Sequence, residues 1–265
     1  KTDMETTDIS YLSMAVGLLL MALPVYFFHR LGARLIQSTA IATVRMVVQL
    51  FLIGLYLRYL FEWNSPLVNF AWVLIMVLVA TFTAARRTRL RLRTIALPLF
   101  SGLLATAVVV GLYFLVLVLR LDHPFDARYF VPIMGILMGN MLSVNVIALN
   151  TYYDGLQREH HLYYYLLGNG ATHLEAITPF ARQAVEKSFA PCIANMAVLG
   201  IVSLPGTMIG QILGGSAPGI AIKYQMMITA ITFSASMLSL MLTLRLADSR
   251  SFDVYGRLRN VRRKD

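Results

Sequence analysis

The sequence predicts an all-α integral membrane protein of about seven transmembrane helices, with its N-terminus outside and its C-terminus in the cytoplasm. Three observations predict it. The chain is 58% hydrophobic with a mean hydropathy of +0.67, against the roughly 45–50% apolar content of soluble domains. Only 14% of its residues are charged. Its apolar residues gather in runs of about 20, the length that crosses the hydrocarbon core of a bilayer.

Seven such runs are legible: Tyr11–Phe28, Ala40–Leu60, Val68–Ala85, Ile95–Leu119, Tyr129–Leu149, Phe189–Leu213 and Ile220–Leu244. They lack the polar faces that surface helices of this length carry. The first has neither a positively charged leader nor a small-residue cleavage site, so it reads as a retained span.

Orientation follows from Lys and Arg, which are retained on the cytoplasmic side. Arg86, Arg87, Arg89, Arg91 and Arg93 follow the third span, and Arg257, Arg259, Arg262, Arg263 and Lys264 follow the last. The number of spans between them is even, so both clusters face the cytoplasm, together with His29, Arg30 and Arg34. Asp3, Glu5, Asp8, Glu62, Asp122 and Asp126 then face outward, with Arg58, Arg120 and Arg128 as exceptions. Residues 1–247 form the polytopic membrane domain, and residues 248–265 a polar, basic and mobile cytoplasmic tail. The net charge of +10 is spread between spans and tail, not gathered in one groove, which argues against a nucleic-acid partner.

One cytoplasmic connection, from Thr151 to Ser188, is long, and long loops are usually functional. Thr172-His173-Leu174-Glu175 fits a capping box, in which Thr172 caps a new turn and Glu175 reaches back. Thr178-Pro179 offers a second helix start. The expectation is one short helix from Thr172 to about Ile177 between longer helices, entered by a turn at Gly168 and Gly170.

Several classes are excluded. No GxxxxGK[ST] phosphate loop, HExxH or GxSxG motif occurs, and no Asp or Glu inside a span offers a proton relay. The chain is expected to hold no catalytic residue and no cofactor. Energy for any transport then comes from another subunit. Cys192 is the only cysteine, which rules out an intrachain disulfide and makes it a packing residue.

Three constellations remain. Met134, Met138 and Met141 share one helical face in the fifth span, with Gly135 and Gly139 as a GxxxG pair and Asn140, Asn145 and Asn150 following. Thioether sulfur and amide oxygen suit a transition-metal path, with Met134 and Met138 as ligands. The same face also suits a helix interface packed with adaptable Met. Arg45 and Gln49 lie four residues apart in the second span, where a charge costs at least ~2.5 kcal/mol. Arg45 must therefore face protein or water, or snorkel to the headgroups. Pro205 and Gly206 interrupt the sixth span, as a gate or as a packing kink. His160, His161 and His173 read as solvated, and Lys223-Tyr224-Gln225 as a snorkelling start to the last span.

Thr43–Leu50, Pro132–Asn140, Gly200–Met208 and Ala221–Gln225 together resemble the UPF0014 family of ABC transporter permeases, whose bacterial members include an iron-export type and whose plant members are associated with aluminium tolerance and nucleotide-sugar transport. The resemblance runs from the second span onward. It implies a permease subunit of the cell inner (plasma) membrane, paired as a homodimer around a path and exporting iron or a related metal. It also implies a separate cytoplasmic ATPase that binds the ATP and Mg. Gly170-Ala171-Thr172 resembles the start of the helix that docks on that ATPase, with Glu175 in its first turn. Asn169 and the run Tyr163-Tyr164-Tyr165 depart from the family pattern. The path candidates carried by this resemblance are Met134, Met138, Asn140, Met141, Asn145, Arg45 and Gln49.

Overall fold

The computed structural model describes residues 10–253 and 255–262. The expected outward charges Asp3, Glu5 and Asp8 and the tail cations Arg263 and Lys264 lie outside the described residues.

All regular elements among the described residues are helices. The first span is divided into α1 (Tyr11–Leu19) and α2 (Ala22–Arg30). Pro24 accounts for the break, since its ring crowds the carbonyl four residues back, at Leu20. α3 (Ile36–Trp63) stops at Asn64, whose backbone is left-handed at φ 36°. Asn64 Oδ1 then accepts the Ala127 N–H at 2.9 Å, tying the end of α3 to the start of α6 (Ala127–Arg158). α4 (Pro66–Arg87) opens on a proline at its first turn, where no intrahelical donor is needed. α5 (Leu92–Leu112) runs on through a π-helical segment, Tyr113–Val118. α10 (Pro218–Ser251) closes the bundle.

Six spans among the described residues are long and apolar enough to cross a membrane: Tyr11–Arg30, Ile36–Trp63, Pro66–Arg87, Leu92–Val118, Ala127–Arg158 and Pro218–Ser251. The seventh expected run, Phe189–Leu213, is not one helix. α8 (His173–Val198) ends within it, and α9 (Gly206–Leu213) begins after a non-helical link. Gly200 turns that link at φ +83° and donates its N–H to Ser203 O at 2.9 Å.

The segment from Thr151 to Ser188 is also not a loop. α6 continues to Arg158, α7 (His160–Gly168) follows, and α8 starts at His173. The expected short helix at Thr172 is therefore the first turn of a helix of 26 residues. Pro179 does not restart it. It lies inside α8, where the ring removes one intrahelical N–H bond, to Glu175 O, and the helix continues on the bonds around it.

α4, α5, α6 and α10 pack as a bundle. α5 and α10 touch where Gly102 faces Thr243: a Cβ there would overlap Thr243 Oγ1. Two apolar clusters result. One, around Ile95, Leu99, Tyr152, Phe180 and Leu244, lies toward the end that carries Arg86–Arg93. The other, around Val77, Leu103, Phe130, Met134 and Met141, lies toward the Asn64 end.

The tail is packed and not loose. Leu90 pairs with Arg262, and Phe252 with Leu258. Arg91 donates its N–H to Val261 O at 2.8 Å and its Nε–H to Arg262 O at 3.0 Å. Arg262 forms an ion pair with Asp154, and Val261 is buried. Apolar residues interspersed among the cations, namely Phe252, Leu258 and Val261, anchor its described part. Net charge hides that pattern.

Candidate functional site

The site is a cavity of about 360 Å³ between α6, α8, α9 and α10. α6 contributes Asn140, α8 contributes Cys192, Asn195 and Met196, and the broken link contributes Pro205. Thr207 of α9 and Gln225, Thr229, Thr232 and Ser236 of α10 complete the polar wall. The broken helix is what makes this space. A continuous helix would have carried its side chains across the gap now bordered by Leu199 and Pro205.

Three of the polar side chains form a connected set. Thr207 donates its hydroxyl to Gln225 Oε1 at 2.6 Å, and Gln225 Nε2 donates to Thr229 Oγ1 at 3.1 Å. Asn140 Nδ2 donates to Ile136 O at 2.9 Å, which leaves its amide oxygen toward the exposed side of α6. No charged side chain lines the cavity. Its chemistry is that of neutral amide and hydroxyl groups, with one thiol and one thioether, in a wall otherwise apolar.

Of the expected path residues, only Asn140 lines this cavity, together with Pro205 of the expected gate; Gly206 opens α9 beside it. The Met face turns the other way. Met134, Met138 and Met141 are buried in the apolar cluster with α4 and α5, and a Cβ on Gly111 would overlap the end of Met134. Within one copy these methionines pack the bundle, the arrangement of a helix interface. Asn145 is buried too, and its Nδ2 donates to Ser239 Oγ at 3.0 Å and Met141 O at 2.8 Å. The bond to Ser239 ties α6 to α10. Among the described residues no group of three His, Cys, Asp or Glu comes together to hold a metal.

Arg45 and Gln49 are exposed on α3. Asn195, Thr229, Thr232 and Ser236 had no expected role, Cys192 was expected only to pack, and Thr207 and Gln225 stood only within the segments that carry the family resemblance, Gln225 also in a snorkelling start. A signal was present. Gln225, Thr229, Thr232 and Ser236 repeat at helical spacing on an otherwise apolar span.

At the far end of α8 the capping box forms as expected. Glu175 N donates to Thr172 Oγ1 at 3.4 Å, and Thr172 N and Oγ1 each donate to Glu175 Oε2 at 2.8 Å. The backbone bond, then the hydroxyl, hold the Glu175 carboxyl below the usual carboxylate range. Gly170 supplies the turn at φ +88°, and Gly170, Thr172 and Glu175 are exposed with Ala171 half-buried. Leu174 and Tyr165 are apolar and exposed beside them. His173 is half-buried and hydrogen-bonded, unlike the fully solvated residue expected. Its Nδ1 lies 2.9 Å from Tyr163 OH and its Nε2 2.9 Å from Asp248 Oδ2, while Tyr163 OH donates to Gly256 O at 2.8 Å. Burial pushes the Tyr163 phenol up to about 12.

A helical bundle with six apolar spans among the described residues, a broken helix and a neutral polar cavity beside the break defines a polytopic membrane protein. The chain belongs to the family described as "Uncharacterised protein family (UPF0014)", which it matches over residues 10–252. It is 29% identical over 236 residues to the probable iron export permease protein FetB of Escherichia coli (strain K12), covering 89% of this chain and 90% of that protein. It is 30% identical over 233 residues to the UPF0014 membrane protein STAR2 of Oryza sativa subsp. japonica, covering 86% and 78%. To the protein ALUMINUM SENSITIVE 3 of Arabidopsis thaliana it is 30% identical over 226 residues, covering 85% and 81%. No solved structure matches the chain significantly.

Proposed function

We propose that this chain is the membrane permease subunit of an ABC exporter that moves iron or a related metal, driven by a separate cytoplasmic ATPase. The observation that carries this is full-length similarity to an iron export permease in a chain whose broken helix borders a polar cavity. The permease does no covalent chemistry. Two copies pair in the inner (plasma) membrane, N-termini outside and the basic end of each in the cytoplasm, with the broken pair α8 and α9 making the seventh crossing that this orientation needs.

The exposed turn Gly170–Glu175 meets the ATPase, which holds the ATP and Mg. Because that turn begins α8, and α8 ends at the cavity, movement at the docking end travels along one rigid helix to the break. A second reading keeps this mechanism and exports a nucleotide sugar or other anion; the exposed Arg45 favours it.

The test is reconstitution of the permease with its ATPase in liposomes, with ATP hydrolysis measured against candidate cargoes. Iron salts or iron chelates should stimulate hydrolysis. Failure of every metal species to do so would overturn the iron assignment, and metal movement without ATPase would instead support an ATP-independent transporter.

A further inference from the structure

We propose that the polar cavity is half of a binding site, and that α3 of a second copy supplies the other half through Arg45 and Gln49, making a site for an oxyanion-bearing cargo. The inference rests on the permease dimer above and names what that dimer binds.

α3 is anchored to the α4–α5–α6–α10 bundle only near one end. Tyr56 stacks on Trp72 with ring centroids 4.2 Å apart, and Leu60 is the single buried residue of the helix. Residues 36–53, which include Arg45 and Gln49, are exposed or half-buried, and none of them is buried. Arg45 forms no ion pair among the described residues. Left against lipid, a guanidinium and an amide inside an apolar span are unfavourable.

The cavity has the matching deficiency. Asn140 and Asn195 border it and are also exposed, so it lacks a wall on that side. Its own α3 does not cover it. The Asn64–Ala127 hydrogen bond sets α3 and α6 level at one end; from there Asn140 lies about 20 Å along α6 and Gln49 about 22 Å along α3, with Arg45 roughly one turn further at about 28 Å, taking 1.5 Å per residue. Gln49 thus matches the cavity in depth and Arg45 stands at its cytoplasmic edge, so the two incomplete polar surfaces are satisfied together by a two-fold pairing, in which each α3 covers the other copy's cavity.

The completed site would hold amides, hydroxyls and one guanidinium per cavity, with no carboxylate. That set prefers carboxylate or phosphate oxygens, which Arg engages through two parallel N–H bonds, and it repels a bare cation. A metal would enter as an anionic chelate.

The experiment has two arms on the full-length protein. In the first, two differently tagged copies are co-expressed, one with Gln49→Cys and one with Asn140→Cys, both carrying Cys192→Ser, and treated with a bifunctional thiol reagent. A product joining the two tags is expected. A link formed only when both cysteines sit in one chain overturns the proposal, and so does absence of any link in a protein that is dimeric and responds to its ATPase. In that last case the permease reading stands. A monomer that never engages the ATPase sinks both.

In the second arm, ferric citrate, citrate and ferrous ion are titrated onto the protein in nanodiscs. Citrate or its ferric complex should bind, and Arg45→Gln should weaken that binding at least about tenfold. Arg45→Lys, which keeps the charge, should weaken it less and shows whether loss reflects charge or folding. Binding confined to ferrous ion and indifferent to Arg45→Gln overturns the oxyanion assignment.

Discussion

His173 Nε2 and Asp248 Oδ2 lie 2.9 Å apart, which ties the first residue of α8 to the last turn of α10. Asp248 also accepts from Tyr152 OH of α6 at 3.4 Å, and Tyr163 links His173 onward to Gly256 of the tail. The imidazole therefore joins α8 to α7 and α10 directly, and Asp248 and Tyr163 extend the network to α6 and the tail. In the proposed exporter this is the joint between the docking turn and the bundle.

Asp248→Ala should loosen that joint. The two side chains are 34% and 15% exposed, so the pair is neither a surface contact nor fully buried, and its loss should cost about 1–2 kcal/mol. A lowered thermal midpoint in detergent, with reduced stimulation of the ATPase, is the expected outcome. An unchanged midpoint would show that the tie carries no stability.

The capping box makes a pH-dependent prediction. Glu175 is held below its usual range in the folded chain, so its contribution is present above the unfolded value and lost as pH falls through the folded one. Hydrogen exchange of the Thr172–Ile177 amides should accelerate between neutral pH and about pH 3, beyond the intrinsic pH effect. Glu175→Gln should remove that acceleration, and Thr172→Ala should weaken the turn by about 1 kcal/mol at neutral pH.

Two glycines should respond differently to the same substitution. At Gly102 an added Cβ meets Thr243 Oγ1 and lies 3.3 Å from the Ser239 backbone oxygen, so Gly102→Ala should push α5 from α10 and cost about 1–3 kcal/mol. At Gly111 it meets only the flexible end of Met134, which can rotate aside. Gly111→Ala should therefore lower the unfolding midpoint less.

Methionine packing and cavity function can be separated by mutation. Met134→Leu and Met138→Leu conserve volume and should cost less than about 1.5 kcal/mol while preserving transport. Asn140→Ala and Gln225→Ala should reduce transport with little change in thermal midpoint. Transport abolished by Met138→Leu in a protein of normal stability would reinstate the methionine path.

Much of the helix layout was legible because hydropathy acts locally. Thr172 starts a helix where its side chain dictates, and the Pro205 interruption was visible as Pro and Gly in an apolar run. The long loop was misjudged for the opposite reason. Tyr152, Tyr153, Ala176 and Phe180 read as scattered loop residues, yet they share one buried cluster, and packing of that cluster carries α6, α7 and α8 through a polar-looking stretch. The tail followed the same logic, with Phe252 and Val261 buried beneath its cations.

By itself the sequence determined that this protein lives in a membrane, where its apolar runs lie and which helix ends are capped, since each follows from residues near in the chain. Only the tertiary structure decided which way α6 is turned. Its neighbours fill one side with Met134, Met138 and Met141 and leave Asn140 to the cavity, because the rotation of a helix about its axis is set by what packs against it. A hydropathy profile carries no record of those contacts.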